Sequence, residues 1–143
     1  MTNYNNTIFP PQWVAGFIDG EGCFHVAIIN SKKMKTGFEV QLQFSITQHV
    51  RDYELMLQFI KFFNCGYIAA DGPWKVQYRI RGITQIENHL LPFLTDNPLL
   101  TRKSKDLIDF IKVFELMKAK THLTSDGIQT IREIQSNMNS RRI

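Results

Sequence analysis

A strict alternation of apolar and polar residues at positions 39–46 restricts the fold of this chain more than any other feature. The apolar members are the even-numbered residues Val40, Leu42, Phe44 and Ile46. The polar members are the odd-numbered residues Glu39, Gln41, Gln43 and Ser45. Because successive side chains of a strand point to opposite faces, the pattern predicts a strand with one buried and one open face. Such a strand is typical of an antiparallel sheet, since parallel sheets are covered on both sides.

The rest of the chain divides into strands and helices around that segment. Alternating patterns predict three more strands, at residues 23–29, 67–70 and 75–81. Helical spacing and end signals predict helices at residues 13–20, 52–63, 102–118 and after the cap Thr124-Ser125. The capping-box spacing of Thr84 and Glu87 predicts a short additional helix that starts at this box. The order α-β-β-α-β-β-α, followed by further helices, predicts one α+β domain over residues 1–143 with a four-stranded antiparallel sheet.

One face of the predicted sheet is polar and rich in Gln and Arg. An ordinary solvated sheet face is the alternative, but Gln and Arg side chains can form bidentate hydrogen bonds with base edges. We therefore predict that the odd-numbered face binds nucleic acid. The predicted binding residues are His25, Ala27, Ile29, Ser31, Glu39, Gln41, Gln43, Ser45, Ala69, Asp71, Lys75, Gln77, Arg79 and Arg81.

Composition excludes several classes of protein. The 143 residues are 43% hydrophobic, which is enough for a buried core, and no apolar run reaches the ~20 residues of a membrane span. No secretory or transit signal is visible at the start of the sequence. Two cysteines cannot form a disulfide framework, and His25, His49, His89 and His122 lack zinc-ligand spacing. The net charge of +4 comes entirely from residues 101–143, which is consistent with a nucleic-acid partner.

Residues 13–22 read Trp-Val-Ala-Gly-Phe-Ile-Asp-Gly-Glu-Gly. An acid–glycine turn of this kind is also a common link between a helix and a strand. The segment nevertheless resembles the motif of the LAGLIDADG homing endonuclease family, with Val14 and Phe17 at the leucine positions and Glu21 at the last acid. Segments 44–48, 62–66 and 98–103 resemble further family elements in the same order. The resemblance implies the α-β-β-α-β-β-α LAGLIDADG fold, with a four-stranded antiparallel DNA-binding sheet and additional C-terminal helices.

The resemblance also implies an active site. Glu21 and the carbonyl of Gly20 would bind a divalent metal, an oxygen ligand set that suits Mg²⁺, although Mn²⁺ or Ca²⁺ could occupy the same site. Gln48 would order the attacking water, and Lys103 would stabilise charge on the scissile phosphate. Some relatives have a basic residue where this chain has Asp52, and whether the neighbouring Arg51 substitutes for it stays open.

A single motif supplies only half of such a site, and single-motif members of the family work as symmetric dimers. The helix that would form the dimer contact carries Trp13, Gly16, Asp19 and Gly20. A strand of about nine residues spans ~30 Å, or roughly nine base pairs per protomer. The resemblance thus implies a homodimer on a long pseudo-palindromic DNA site, without a membrane partner or a small-molecule cofactor.

The activity implied is site-specific, Mg²⁺-dependent hydrolysis of both strands of double-stranded DNA. An RNA-binding intron maturase and a DNA-binding domain without catalysis are the alternatives. The presence of Glu21, Gln48 and Lys103 argues against an inactive domain, whereas a maturase can retain acids in the motif. Because the family is mostly encoded by organelle introns, we expect a mitochondrial or chloroplast location, which is compatible with the lack of a visible targeting signal.

Overall fold

The computed structural model describes residues 9–139, and the structural statements below concern that part of the chain. The elements are α1 (Pro11–Glu21), β1 (Gly22–Asn30), β2 (Phe38–His49), α2 (Tyr53–Phe63), β3 (Tyr67–Ala70), β4 (Lys75–Arg81), α3 (Ile83–Gln85), α4 (Leu91–Asp96), α5 (Lys103–Lys118) and α6 (Ser125–Gln135). A π-helical turn, Ile86–Leu90, joins α3 to α4. Single 3-10 turns, Val50–Asp52 and Thr121–Leu123, precede α2 and α6. The predicted α+β element order is confirmed.

The four strands form one antiparallel sheet in the order β1-β2-β4-β3. In one row across the sheet Phe44 pairs with Phe24 and Ile80, and all three side chains are fully buried. In the adjacent row Gln43 pairs with His25 and Arg81 on the opposite face. The predicted division into a buried even-numbered face and an open odd-numbered face is therefore confirmed.

Aromatic rings fill the space between the buried face and the helices. Phe24 packs against Phe110 of α5, with 5.2 Å between ring centroids. On the same face, nearer the β3 edge of the sheet, Tyr78 packs against Phe59 and Phe63 of α2, at 5.7 and 6.0 Å. Each large buried ring of this kind removes a large apolar area from water. They fix the helices relative to the sheet and so position the ends of α1 and α5.

Two predicted helix caps have different outcomes. Thr124 caps α6, since its hydroxyl accepts a hydrogen bond from the Gly127 amide at 3.0 Å. The predicted capping box at Thr84 is wrong, because α3 already begins at Ile83 and no side chain caps it. Gly82, with a φ of +88°, turns the chain from β4 directly into the helix, one residue before Thr84 could act as a cap.

The C-terminal segment covers the outer edge of the sheet. Gln135 Nε2 donates to the Val26 carbonyl at 2.7 Å, and Asn139 Nδ2 donates to the Phe24 carbonyl at 2.8 Å. These amides satisfy carbonyl groups of the edge strand β1 that would otherwise be open to pairing with another chain. No helix within residues 9–139 is long and apolar enough to cross a membrane.

Candidate active site and nucleic-acid interface

The motif helix α1 ends at the margin of the sheet. Glu21 is its last residue and is exposed, and Gly22 begins β1 without an intervening loop. A Cβ atom on Gly22 would lie 2.9 Å from both the Cγ2 and the carbonyl oxygen of Ile18, so the turn leaves no space for a side chain there. The short turn holds the Glu21 carboxylate directly at the junction of helix and sheet.

The end of β2 lies at the same margin. The pairing of β1 with β2 closes at Gly22 and Ile46, and β2 continues beyond that pair for three residues, to His49. Gln48 lies in this extension, pairs with Val76 of β4 and is half-buried. The register therefore brings Gln48 and Glu21 to one end of the sheet.

Lys103, the first residue of α5, comes to this margin from a distant part of the sequence. Its positive charge lowers the pKa of both Asp19 and Cys23, which flank Glu21 in the chain. Burial nevertheless dominates for the Cys23 thiol and raises its pKa overall. An acid in the last turn of a helix and a lysine in the first turn both oppose the helix dipole. The Lys103 charge is the smallest of the effects that lower the Asp19 pKa, so it attracts that carboxylate only weakly, but its action on both Asp19 and Cys23 shows that Lys103 lies near the end of the motif.

The Asp19 carboxylate is hydrogen bonded to the segment before α5. Oδ2 accepts from the Leu100 amide at 2.9 Å, and Oδ1 accepts from the Thr101 amide at 3.1 Å and the Thr101 hydroxyl at 2.7 Å. Burial raises the pKa of Asp19, but these donors outweigh it and hold the pKa below its usual value. The side chain of Asp19, one of the predicted dimer-helix residues, is thus bound within its own chain, and a contact of this helix with a second copy stays a prediction.

The outer surface of α1 lacks bulky side chains near its glycines. Gly16 and Gly20 are exposed, and a Cβ atom added to either would meet nothing within 4 Å. A groove runs along this surface and is lined in part by Gly16, Asp19 and Leu100, the last of which is 90% exposed. Trp13 is 41% exposed and stacks on Phe17 with 5.0 Å between ring centroids.

The odd-numbered face of the sheet carries two chains of hydrogen bonds. In the first, Arg81 Nη2 donates to Gln41 Oε1 at 2.6 Å, and Gln41 Nε2 donates to Glu39 Oε2 at 3.0 Å. In the second, Arg79 Nε donates to Gln77 Oε1 at 2.7 Å, and Gln77 Nε2 donates to Thr47 Oγ1 at 3.0 Å. The predicted polar side chains are thus oriented by one another.

Tyr67 and Thr47 belong to this face but were not among the predicted binding residues. Tyr67 is 40% exposed and is hydrogen bonded by both Arg79 and Arg81. Burial raises the pKa of its phenol, but the two arginines outweigh it and lower the pKa. Both residues continue the odd-numbered alternation of their strands, so the same period-2 signal identifies them.

Ser45 departs from the prediction. It lies on the odd-numbered face between its pairing partners Cys23 and Arg79 but is only 4% exposed. Its short side chain lies below the longer side chains of its row, so its hydroxyl is not offered at the surface. Ser31 and Asp71 follow the ends of β1 and β3 rather than lying within them.

The described part of the chain contains no closed metal-binding cluster. Within residues 9–139 no group of three or more His, Cys, Asp or Glu side chains is arranged to hold a metal ion. Glu21 is thus a single exposed carboxylate followed by a turn, with the Gly20 carbonyl next to it in the chain. This set fits a cation such as Mg²⁺, which keeps several waters and takes oxygens from substrate phosphates.

Sequence comparison relates the motif helix and both sheet hairpins to a known family. A family model described as LAGLIDADG endonuclease matches residues 14–114, which include Glu21, Gln48 and Lys103. The chain belongs to the LAGLIDADG endonuclease family. The family assignment and the fold class implied by the motif are both confirmed.

Individual proteins and solved structures resemble the chain over most of its length. The Neurospora crassa protein named "Probable intron-encoded endonuclease 3" is 35% identical over 132 residues, which are 92% of this chain and 25% of that protein. The I-LtrWI LAGLIDADG homing endonuclease, solved bound to target DNA, is 40% identical with a TM-score of 0.92, covering 99% of this chain and 48% of that one. The homing endonuclease I-TnaI is 36% identical with a TM-score of 0.89, covering 92% and 89%.

A further structure, I-SmaMI bound to uncleaved DNA target in the presence of calcium ions, is 34% identical with a TM-score of 0.90, covering 97% of this chain and 48% of that one. The chain therefore spans about a quarter of the first curated LAGLIDADG relative and about half of two of these solved chains.

Proposed function

We propose that this chain is a site-specific double-strand DNA endonuclease that uses a divalent metal and acts as a homodimer. One observation carries the proposal. The fold brings the end of α1, the end of β2 and the start of α5 to one margin of the sheet, beside a face of paired Gln and Arg side chains. Family membership and the DNA-bound relatives support this function. We treat residues 1–143 as one domain.

The proposed roles follow from the chemistry of each group. The Glu21 carboxylate and the Gly20 carbonyl would hold the cation, which would supply Lewis-acid stabilisation of the scissile phosphate. Mg²⁺ is the proposed ion, and the relative studied with calcium supports a divalent-cation site that Mn²⁺ or Ca²⁺ can also occupy. The Gln48 amide orients the attacking water, and the Lys103 ammonium balances the charge that develops on the phosphate.

The metal requirement provides the direct test of function. The chain is incubated with a pool of duplexes randomised over about twenty base pairs, the length that two protomers would span. We expect selective cleavage of a subset of duplexes with Mg²⁺, and no cleavage with EDTA. Cleavage that persists in EDTA would contradict the metal role. Binding of the intron transcript without cleavage of any duplex would favour the maturase alternative.

We propose that α1 packs against α1 of a second copy. Gly16 and Gly20 leave room for close helix approach, and the exposed Leu100 lies beside the same groove. An isologous contact would bring two copies of Glu21 together, whereas these 143 residues contain a single such motif. The I-LtrWI and I-SmaMI chains are about twice as long as this one, which is consistent with two such units per active site.

The Gly16→Leu variant tests the dimer. We expect a monomer in analytical ultracentrifugation and loss of double-strand cleavage, because the added side chain blocks close helix approach. The protomer should stay folded, since the position is open to solvent in one chain. Gln129→Leu, at an exposed position of α6, is the matched control and should remain dimeric. A dimeric Gly16→Leu protein would contradict the proposed contact.

Specificity is tested by two neighbouring residues of β2. Gln43→Ala removes a side chain of the open face, and a good bidentate contact is worth ~1–3 kcal/mol of discrimination. We expect relaxed preference at one or two base pairs, mirrored in both half-sites. Leu42, which is 3% exposed, faces the core, so Leu42→Ala should cost ~2–5 kcal/mol of stability and leave the preferred sequence unchanged. Selection of cleavable sites from a randomised library with each variant measures the preference. If Leu42→Ala changed the preferred sequence and Gln43→Ala did not, the proposed DNA-binding face would be wrong.

The gene location is part of the same proposal. The name of the Neurospora crassa relative includes intron-encoded, and we propose that this chain is encoded in an organelle intron. The joined exon sequence would then contain the cleavage site. Cleavage of a DNA duplex with that sequence tests this expectation directly.

A further inference from the structure

The connection between α1 and α5 runs through the side chains of Asp19 and Thr101. The Thr101 hydroxyl donates to Asp19 Oδ1 at 2.7 Å and accepts a hydrogen bond from the Lys103 amide at 3.3 Å. A hydroxyl can donate and accept at the same time, so one side chain links the two partners. Asp19 thereby acts on the backbone of Lys103 through a single intermediate group.

Local preferences do not explain Asp19. An aspartate in the last turn of α1 is repelled by the negative end of the helix dipole. The cost is offset by three donors from residues 100 and 101, and hydrogen bonds to an ionised acceptor are stronger than neutral ones. Their combined geometry determines where the chain enters α5 relative to the end of α1.

We propose that Asp19 and Thr101 are positioning residues that set the location of Lys103 relative to Glu21. Asp19 lies two residues before Glu21 in α1, and Thr101 lies two residues before Lys103 at the start of α5. The link thus joins α1, which carries the proposed metal ligand, to the start of α5, which carries the proposed phosphate-stabilising cation. The inference rests on the proposed function, because it assigns a purpose to the position of Lys103.

The kinetic test uses isosteric changes at Thr101. Thr101→Val removes the hydroxyl and keeps the shape, whereas Thr101→Ser keeps the hydroxyl. We expect Thr101→Val to lower single-turnover cleavage about tenfold, the effect of one lost hydrogen bond in the transition state, with DNA affinity within about threefold. Thr101→Ser should retain nearly the full rate. Thr130→Val is the matched control, because the Thr130 hydroxyl bonds only to the carbonyl of Asp126 within α6.

A purely structural role is separated by repeating Thr101→Val in the Lys103→Met background. If Thr101 acts through Lys103, the second change should alter the residual rate by less than about twofold. An equal loss of rate in both backgrounds, or no loss in the Thr101→Val single variant, would overturn the inference.

A readout without DNA distinguishes failure of this inference from failure of the proposed function. The backbone amide proton resonance of Lys103 in the free protein should shift in Thr101→Val and stay in place in Thr101→Ser. If the Lys103 amide resonance did not move in Thr101→Val, the link from Asp19 through Thr101 to Lys103 would be overturned, whether or not the protein cleaves DNA. A wild-type chain that cleaves no duplex but shows the expected resonance shift would overturn the nuclease proposal and keep the link itself.

Discussion

The Glu21→Gln variant is expected to bind DNA and to lose cleavage. The amide keeps the size of the side chain but not the charge of the proposed metal ligand, and metal stabilisation of the phosphate is worth several kcal/mol. A loss of this size lowers the rate at least ~10³-fold. Affinity for DNA should be equal or higher, because one negative charge near the phosphates is removed.

The measurement compares single-turnover cleavage in Mg²⁺ with equilibrium binding in EDTA. The protein should stay folded, because Glu21 is exposed. Glu115→Gln, an exposed acid-to-amide change on α5, is the matched control and should cleave normally. A Glu21→Gln protein that cleaves within threefold of the wild type would show that the reaction does not depend on this carboxylate.

The Lys103→Met variant is expected to fold and to cleave slowly. Removal of a single group that stabilises developing charge typically costs ~10²–10³-fold in rate. Stability should change by no more than ~0.5 kcal/mol, since a lysine in the first turn of α5 opposes the helix dipole and its loss there is not harmful. The attraction between Lys103 and Asp19 acts across a partly solvated margin and contributes little to the free energy of unfolding.

Thermal unfolding and cleavage are measured on the same preparation. Lys105→Met, two residues further along α5 and exposed, removes the same charge from the same helix and should affect cleavage only slightly. Equal rates for Lys103→Met and Lys105→Met would reduce the role of Lys103 to general attraction for DNA. A large fall in melting temperature for Lys103→Met would instead indicate a structural role.

The alternation at residues 39–46 was enough to predict which face of the sheet is buried. Period-2 patterning has a direct physical cause, since a shift of one residue would expose Leu42 and bury Gln43. Thr47 and Tyr67 continue the odd-numbered alternation in β2 and β3, so these two additions to the open face needed only a wider use of the same rule. The odd number of Ser45 places it on the open face but did not predict its burial, because the length of the neighbouring side chains decides exposure within a row.

The motif helix shows where local inference stops. Helical spacing predicted that Gly16 and Gly20 share one face of the helix, and the glycines are indeed open. The direction of the Asp19 carboxylate depends on Leu100 and Thr101, which lie more than eighty positions along the chain. The capping box at Thr84 failed for a related reason, since the left-handed Gly82 began the helix before the predicted cap.

The sequence by itself determined the strands, most helix limits, the buried face and the identity of the motif, because these depend on residue type and on spacing within about ten residues. Tertiary structure alone decided that α5 starts beside the end of α1, that Asp19 and Thr101 connect them, and that Gln135 and Asn139 close the edge of β1. These contacts join residues that no local periodicity relates. They form because the packed aromatic core brings the helix ends together, and the polar groups at those ends require hydrogen-bond partners.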